Sequence, residues 1–325
     1  NAIPVFVDVE RDTGLIDPEM IEAAITPRTK AILAVHLFGQ PAKLRRLREI
    51  ADRRGLRLIE DGSQAHGAEI EGVRVGTVGD AAGFSCMGGK VLATTEAGYL
   101  VTPHEEVYWK GAMIGQHMGR FSDGGMPAEL APYRDSLVYT YRVEPFNAVL
   151  LTEQFAKLDG ELAERRRHAD LLRGHLAGGK YLRLPDYAPG VKPSYHLLSF
   201  TFDAEAAGIS RDTFAAALKA EGLNAIGYVP SVISDWPRLH WQGYRGPRVS
   251  WLSTLAAAGV DYRNLPLPQA RWRVDHALET GFDMVAPNEP MIERMAEIIL
   301  KVEANVDALR EYERAHGPAA PAVRG

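Results

Sequence analysis

Short apolar runs alternate along this chain with longer stretches in which apolar residues recur every three or four positions. The runs cover residues 4–9, 31–35, 56–59, 81–85 and 97–102. Their length is that of buried strands. Between them, the spacing over 18–25 predicts a helix, with Asp17 as its N-cap and Pro18 at its first position. A second helix is predicted over 43–54, where Leu44, Leu47, Ile50 and Ala51 share one face and Gly55 supplies the stop. Strands separated by helices need crossover connections, so the first half predicts an α/β fold with a mostly parallel sheet covered on both faces. Ligands of such sheets sit beyond the carboxyl ends of the strands. Chemistry is therefore expected just after Val35, Ile59 and Phe84.

Residues 103–140 are less regular. A long helix follows over about 145–176, and a smaller α+β unit after it, with a strand at 195–202 and helices at 212–221 and 290–314. The expected division is a large domain over 1–158, a small C-terminal α+β domain over 159–316 and a flexible tail over 317–325. No internal repeat is visible.

Composition narrows the function classes. The 325 residues carry 46% hydrophobic and 24% charged side chains, with a net charge of 37 − 42 = −5. That is ordinary globular composition without a basic patch, so a nucleic-acid partner is not expected. No apolar run approaches the length of a membrane span. The chain opens with Asn1 and runs directly into an apolar stretch, with nothing like a signal peptide ahead of it. It therefore reads as cut at its N-terminus. The single cysteine, Cys86, excludes an intrachain disulfide and a multi-cysteine zinc site, and suggests a reducing, cytoplasmic setting. The histidines show no paired metal-binding spacing.

Two segments carry candidate chemistry. In Phe84-Ser85-Cys86-Met87-Gly88-Gly89-Lys90, two glycines precede a lysine just past a strand. The nucleotide P-loop pattern fails here, because Gly89 stands where it needs Lys and Val91 follows Lys90. In Glu60-Asp61-Gly62-Ser63-Gln64-Ala65-His66, an acidic pair closes an apolar strand at the ligand edge. Each segment alone is compatible with a surface lysine or a polar turn. Together they fit one chemistry. Lys90 can hold a cofactor aldehyde as a Schiff base, and Asp61 can keep a pyridine nitrogen protonated so that the ring acts as an electron sink. The Ser85 hydroxyl can hold a phosphate. This is the outline of a pyridoxal 5′-phosphate site.

The same residues lie in an ordered series of motifs that resembles the DegT/DnrJ/EryC1/StrS aminotransferases of keto sugars and cyclitols. The series runs from Pro4-Val5-Phe6-Val7-Asp8 through Val35-His36-Leu37-Phe38-Gly39 to the Asp61 segment. It continues with Gly76-Thr77-Val78-Gly79-Asp80, Gly89-Lys90-Val91-Leu92, Thr95-Glu96-Ala97-Gly98 and Tyr141-Arg142. The resemblance implies the aspartate-aminotransferase fold (PLP fold type I), a homodimer with sites at the subunit interface, and pyridoxal 5′-phosphate as cofactor. By position it makes Lys90 the Schiff-base lysine and Asp61 the partner of the pyridine nitrogen. It sets Gln64 near the phenolic oxygen and makes Ser85 a phosphate ligand. His36, Thr140, Arg142 and Tyr228 are candidate contacts to substrate or to the neighbouring subunit, although His36 fits a structural role equally well.

There are also departures. The family's phosphate-holding turn and its ring-stacking aromatic precede anything resembling Pro4, so the large domain is read as N-terminally incomplete. Thr140 stands where the family usually has Asn, and Ala97 replaces a usual glycine. The reaction implied is transfer of an amino group from glutamate or glutamine to a keto sugar, possibly nucleotide-linked, or a keto cyclitol. Two rivals remain at this stage: a PLP-dependent sugar dehydratase, and a catalytically silent binding or regulatory partner. The tryptophans at 236, 241, 251 and 272 are read as packing residues, with sugar stacking left open.

Overall fold

The computed structural model describes residues 2–115, 127–133, 141–242, 250–282 and 285–321. Its first sheet has the order β1-β2-β5-β6, built from β1 (Ala31–Val35), β2 (Arg57–Asp61), β5 (Ala81–Ser85) and β6 (Gly98–Val101). The pairs β1·β2 and β2·β5 are parallel, and β6 runs antiparallel to β5. The register sets Val35 opposite Asp61 and Asp61 opposite Gly83, so the carboxyl ends of β1 and β2 are level and β5 runs two residues further to Ser85.

Two helices cover one face. In α1 (Pro18–Ala24) the Asp17 side chain accepts the Glu19 N–H and Pro18 opens the first turn, as the sequence leads one to expect. In α2 (Leu44–Arg54) the apolar stripe of Leu44, Leu47, Ile50 and Ala51 is buried, and Gly55 ends the helix in the left-handed region at φ 64°. Ile21, Ile32, Ala34, Leu47, Ile50 and Leu58 form the core between these helices and the sheet. The other face differs from the expectation of a sheet covered on both sides. Leu33, Val35 and Ile59 are exposed there, whereas the alternate positions Ile32, Ala34 and Leu58 are packed.

The expected first strand over residues 4–9 does not form. Its backbone makes a single bridge, Val9 to Ile16, and the segment packs instead on the C-terminal half. Phe6 meets the Tyr262 ring edge-on at 5.0 Å, Tyr262 Oη donates to the Pro4 carbonyl at 2.6 Å, and the Asp8 carboxylate accepts the N–H groups of Gln269 and Ala270. Those two amides open α8 (Pro268–His276), so Asp8 neutralises orphan donors at a helix N-terminus.

The C-terminal part is α+β, with an antiparallel sheet of order β10-β9-β7: β7 (Leu182–Arg183), β9 (Leu197–Phe202) and β10 (Ala277–Gly281). It packs on α6 (Arg211–Ala220) and α9 (Glu289–Ala304) through Phe200, Phe202, Phe214, Leu218, Ile292 and Ile299. The single helix expected over 290–314 is two, because the chain turns at Asn305 between α9 and α10 (Val306–His316). The long helix α4 (Pro145–His175) runs without interruption across the expected domain boundary at 158/159. Its Leu158 and Leu162 pack with Cys86, Val91 and Leu92, whereas Ala169 and Leu172 belong to the C-terminal core. No helix among the described residues is long and apolar enough to cross a membrane.

Candidate active site

Asp61 is the last residue of β2 and Ser85 the last of β5. The strands are parallel neighbours and Asp61 pairs with Gly83, so both residues end strands at the carboxyl edge of the sheet, with Ser85 two residues further along β5. Asp61 Oδ1 accepts the Ser63 N–H at 3.0 Å, an Asx-type turn that fixes the side chain where the strand ends. Ser85 Oγ accepts the Met87 N–H at 3.4 Å.

Lys90 lies on the connection from β5 to β6, and that connection is internally closed. The Cys86 carbonyl accepts from Thr94 N at 2.8 Å and Cys86 N donates to Ala97 O at 2.8 Å. Gly88 N reaches Thr95 O, and Lys90 N donates to Met87 O at 3.1 Å. The returning limb is held from outside by Asn147, in the first turn of α4. Asn147 Oδ1 accepts both the Thr94 and the Thr95 hydroxyls at 2.7 Å, and its Nδ2 donates to the Glu96 carbonyl at 3.1 Å.

Behind Lys90 sits His66, buried, with its ring against Phe84 and Tyr99 at 5.2 and 6.0 Å and its Nε2 3.8 Å from Cys86 Sγ. Burial, and then the nearby positive charge of Lys90, push the imidazole pKa down to about 4, so it is neutral at physiological pH. Its Nδ1 is buried without a hydrogen-bond partner. Burial also raises the Cys86 thiol above its usual range.

Gln64 faces the loop after β1, where its Oε1 accepts the Phe38 N–H at 2.6 Å. That bond holds Phe38 at φ 60°, an uncommon conformation for an aromatic residue. The Phe38 ring in turn meets Tyr228 edge-on at 5.7 Å. The Tyr228 N–H donates to Glu279 Oε2 in the C-terminal sheet. Gln64, Phe38 and Tyr228 thus form one file leading from the Asp61 loop to the C-terminal half.

His36 does not wall an open pocket. It is fully buried; its Nδ1 accepts the Ala42 N–H at 3.0 Å, and its Nε2 donates to Glu60 Oε2 at 3.1 Å. Glu60 also accepts the N–H groups of Gly76, Val78 and Gly79. Burial disfavours the Glu60 charge, but the His36 and backbone bonds outweigh it and hold the carboxyl below its ordinary range. The pair therefore anchors the 76–79 turn beneath the strand ends, which is the structural role. Arg142 is exposed just ahead of α4. Thr140, and the loop residues His117 and Arg120, lie outside the described residues.

Sequence reasoning missed the Glu60–His36 pair and Asn147. Alternation along β2 could have revealed the first, since Glu60 falls on the same face as the buried Leu58. No local signal marks the second, because an Asn near a helix start reads as an ordinary cap. The tryptophans make packing contacts: Trp272 stacks on His276 at 4.1 Å under Arg11, and the indoles of Trp241 and Trp251 donate to the carbonyls of Val260 and Ala2.

The sheet is thus mostly parallel with an antiparallel edge strand, with a lysine on the connection into that strand and an aspartate at the end of a neighbouring one, the arrangement of an α/β enzyme. The chain belongs to the DegT/DnrJ/EryC1/StrS aminotransferase family, whose sequence signature matches residues 1–245. It is 39% identical over 226 residues to an L-glutamine:2-deoxy-scyllo-inosose aminotransferase of Streptomyces kanamyceticus, covering 68% of this chain and 53% of that protein. A putative L-glutamine:3-amino-2,3-dideoxy-scyllo-inosose aminotransferase of Streptoalloteichus tenebrarius is 34% identical, with 95% of this chain and 74% of the relative covered. The chain thus spans about half the length of the first of these relatives and three quarters of the second. Among solved structures, S. venezuelae DesV with a ketimine intermediate superposes with a TM-score of 0.70 at 29% identity, covering 95% of this chain and 72% of DesV. A 3-amino-5-hydroxybenzoic acid synthase does so with a TM-score of 0.71 at 26% identity, covering 94% of this chain and 75% of the synthase.

Proposed function

We propose that this chain carries the cofactor-binding centre of a pyridoxal-phosphate-dependent aminotransferase that moves the amino group of glutamine onto the ketone of a cyclitol. One observation carries the reading: Asp61 and Ser85 end adjacent parallel strands, and Lys90 sits on the short closed loop that leaves the second of them. The donor set fits the cofactor. A carboxylate, a hydroxyl and an amine lie on strand ends and a loop at one sheet edge; of the imidazoles nearby, His66 is neutral and His36 is taken up by Ala42 and Glu60. When bound, the cofactor supplies an aldehyde for covalent capture and a ring that accepts electron density. Lys90 Nζ is the atom that would make the covalent attachment. Once freed, it would take the donor's α-proton and return it as a general base and then a general acid. Asp61, fixed by its turn with Ser63, would keep the ring nitrogen protonated, and the Ser85 hydroxyl would donate to the phosphate.

Glutamine and a cyclitol ketone are favoured over other donors and acceptors because relatives with those names reach 39–42% identity. DesI, solved with its TDP-sugar product, stands at 26%. We also read the protein as a homodimer, because Phe146, Val149, Leu150 and Phe155 on the first half of α4 are exposed and apolar, as a subunit interface requires. Sedimentation of the protein and of Phe146→Ser/Phe155→Ser tests this: the wild type should sediment as a dimer, and a monomeric wild type would refute it.

The central test is borohydride trapping of added pyridoxal phosphate, followed by mass mapping, with a visible spectrum before and after glutamine. The adduct should map to Lys90 and vanish in Lys90→Ala, and the wild-type band should bleach with glutamine. Asp61→Asn should keep the adduct but slow bleaching at least about a hundredfold. An adduct at another lysine, or appearance of the donor nitrogen as ammonia with no aminated cyclitol when glutamine and a keto cyclitol are incubated together, would overturn the reading.

A further inference from the structure

We infer that Asn147 is a positioning residue for Lys90: it fixes the limb of the lysine loop against α4 and so determines where the amine stands. The inference rests on the aminotransferase reading for its functional meaning, but its geometry does not depend on it. Asn147 uses its whole amide on three consecutive residues of the returning limb, with Oδ1 on the Thr94 and Thr95 hydroxyls and Nδ2 on the Glu96 carbonyl. An amide oxygen has two lone pairs, and both are used. The Asn147 backbone is fixed in turn, because its N–H donates to the Glu144 carboxylate that caps the helix.

The limb it grips is hydrogen-bonded to the outgoing limb, through Thr94 N to Cys86 O and Gly88 N to Thr95 O. Lys90 lies in the loop that these two cross-links close, so movement of residues 94–96 is carried to it through them. The same helix touches the loop again further along, where Leu158 and Leu162 pack on Val91 and Leu92. The apolar contact gives the loop a bed but no register, since apolar contacts are non-directional. The three amide bonds supply the direction. A side chain whose partners lie on the returning limb and on its own helix cap thus sets the position of the loop that carries Lys90.

The experiment uses the full chain without added cofactor, so that it does not depend on the aminotransferase reading. Lysine acetylation rates are measured by mass spectrometry on the wild type, on Asn147→Ala, on Thr94→Val/Thr95→Val and on the triple variant, with Lys219 and Lys301 as internal controls. The Lys90 rate should change by about tenfold, the factor carried by about 1.4 kcal/mol, in both the single and the double variant. The triple variant should add little, because the partners act as one unit. The control lysines should not change. With pyridoxal phosphate added, the pH midpoint of the lysine-linked visible band should move in the same variants. A fall in melting temperature that leaves the Lys90 rate level with the controls would show a merely structural amide and overturn the inference. If Asn147→Ala does not fold, Thr95→Val alone, at an exposed position, decides by the same readout. A wild type that forms no Lys90 adduct would defeat the aminotransferase reading while leaving the acetylation result to stand by itself.

Discussion

His66 shows how burial, reinforced by the Lys90 charge, decides a residue's chemistry. A histidine that is neutral in the fold but titrates normally once unfolded makes stability depend on pH. Its folded pKa is about 4 against an ordinary 6.5, so the unfolded chain binds the extra proton first as pH falls. Its contribution is therefore fully present above about 6.5, is lost progressively between 6.5 and 4, and changes no further below that. The loss amounts to roughly 3 kcal/mol at most, from 1.36 kcal/mol per pKa unit. Melting temperatures from pH 7.5 to 5 should fall more steeply for the wild type than for His66→Gln, and parallel curves would refute the assignment. The pair at His36 and Glu60 teaches the complementary lesson. Position at a strand end suggested that His36 faces a ligand, yet its two ring nitrogens are taken up by Ala42 and Glu60. Motif order identified Asp61, Ser85 and Lys90 as neighbours. Alternation sets Glu60 on the buried face with Leu58, but it could not say what satisfies a carboxylate there, because that follows from where His36 and the 76–79 amides fall in space.

Between elements, the junction of β2, β5 and the 76–79 turn is filled by a single ring. A Cβ added at Gly62 would lie 2.3 Å from Phe84 Cε1, and one at Gly76 would lie 2.6 Å from Phe84 Cζ. Gly76 also has φ +92°, which L side chains rarely adopt, whereas Gly62 has no such constraint. Both Gly62→Ala and Gly76→Ala should cost about 2 kcal/mol or more through overpacking. Adding Phe84→Leu should recover much of the loss at Gly62 and little at Gly76, where the backbone strain remains. Equal recovery at both would contradict this account, and urea unfolding of the four variants decides it. The strands 31–35 and 81–85 and the helix ending at Gly55 were legible in sequence because local pattern and tertiary burial agree there. The run over 4–9 was not. Its apolar residues satisfy a strand pattern, but Phe6 finds its partner in Tyr262, more than 250 residues away. The continuous apolar spacing over 290–314 likewise concealed the break at Asn305, since the stripe resumes in α10.

At the scale of the whole molecule, two connections stand beside the Gln64–Phe38–Tyr228 file and the Glu69–Lys192 strand pairing in joining the N-terminal sheet to the C-terminal half. One is α4, which exchanges the lysine loop for the C-terminal core between Leu162 and Ala169 without a break in the helix. The other is the opening segment, held at its end by Asp8, which is 4% exposed and accepts two amides at the start of α8. Replacing Asp8 by Ala would leave both part-buried amides without this acceptor and would remove a negative charge from a helix N-terminus. The two effects together should cost about 2–3 kcal/mol. Asp8→Asn keeps one acceptor oxygen and should cost less. The location of the loss tests the argument better than its size. Because Tyr262 and Trp251 bind the carbonyls of Pro4 and Ala2, freeing Asp8 should speed hydrogen exchange in residues 2–8 and in 250–276 together. Exchange in β1, β2 and β5 should stay at wild-type rates, since their core is built from Ile32, Ala34 and Leu58 against α2 and does not include Asp8. Faster exchange confined to 2–8 would mean that the segment lies on the C-terminal half without supporting it. The α4 helix would then be the stronger of the two connections between the halves of the molecule.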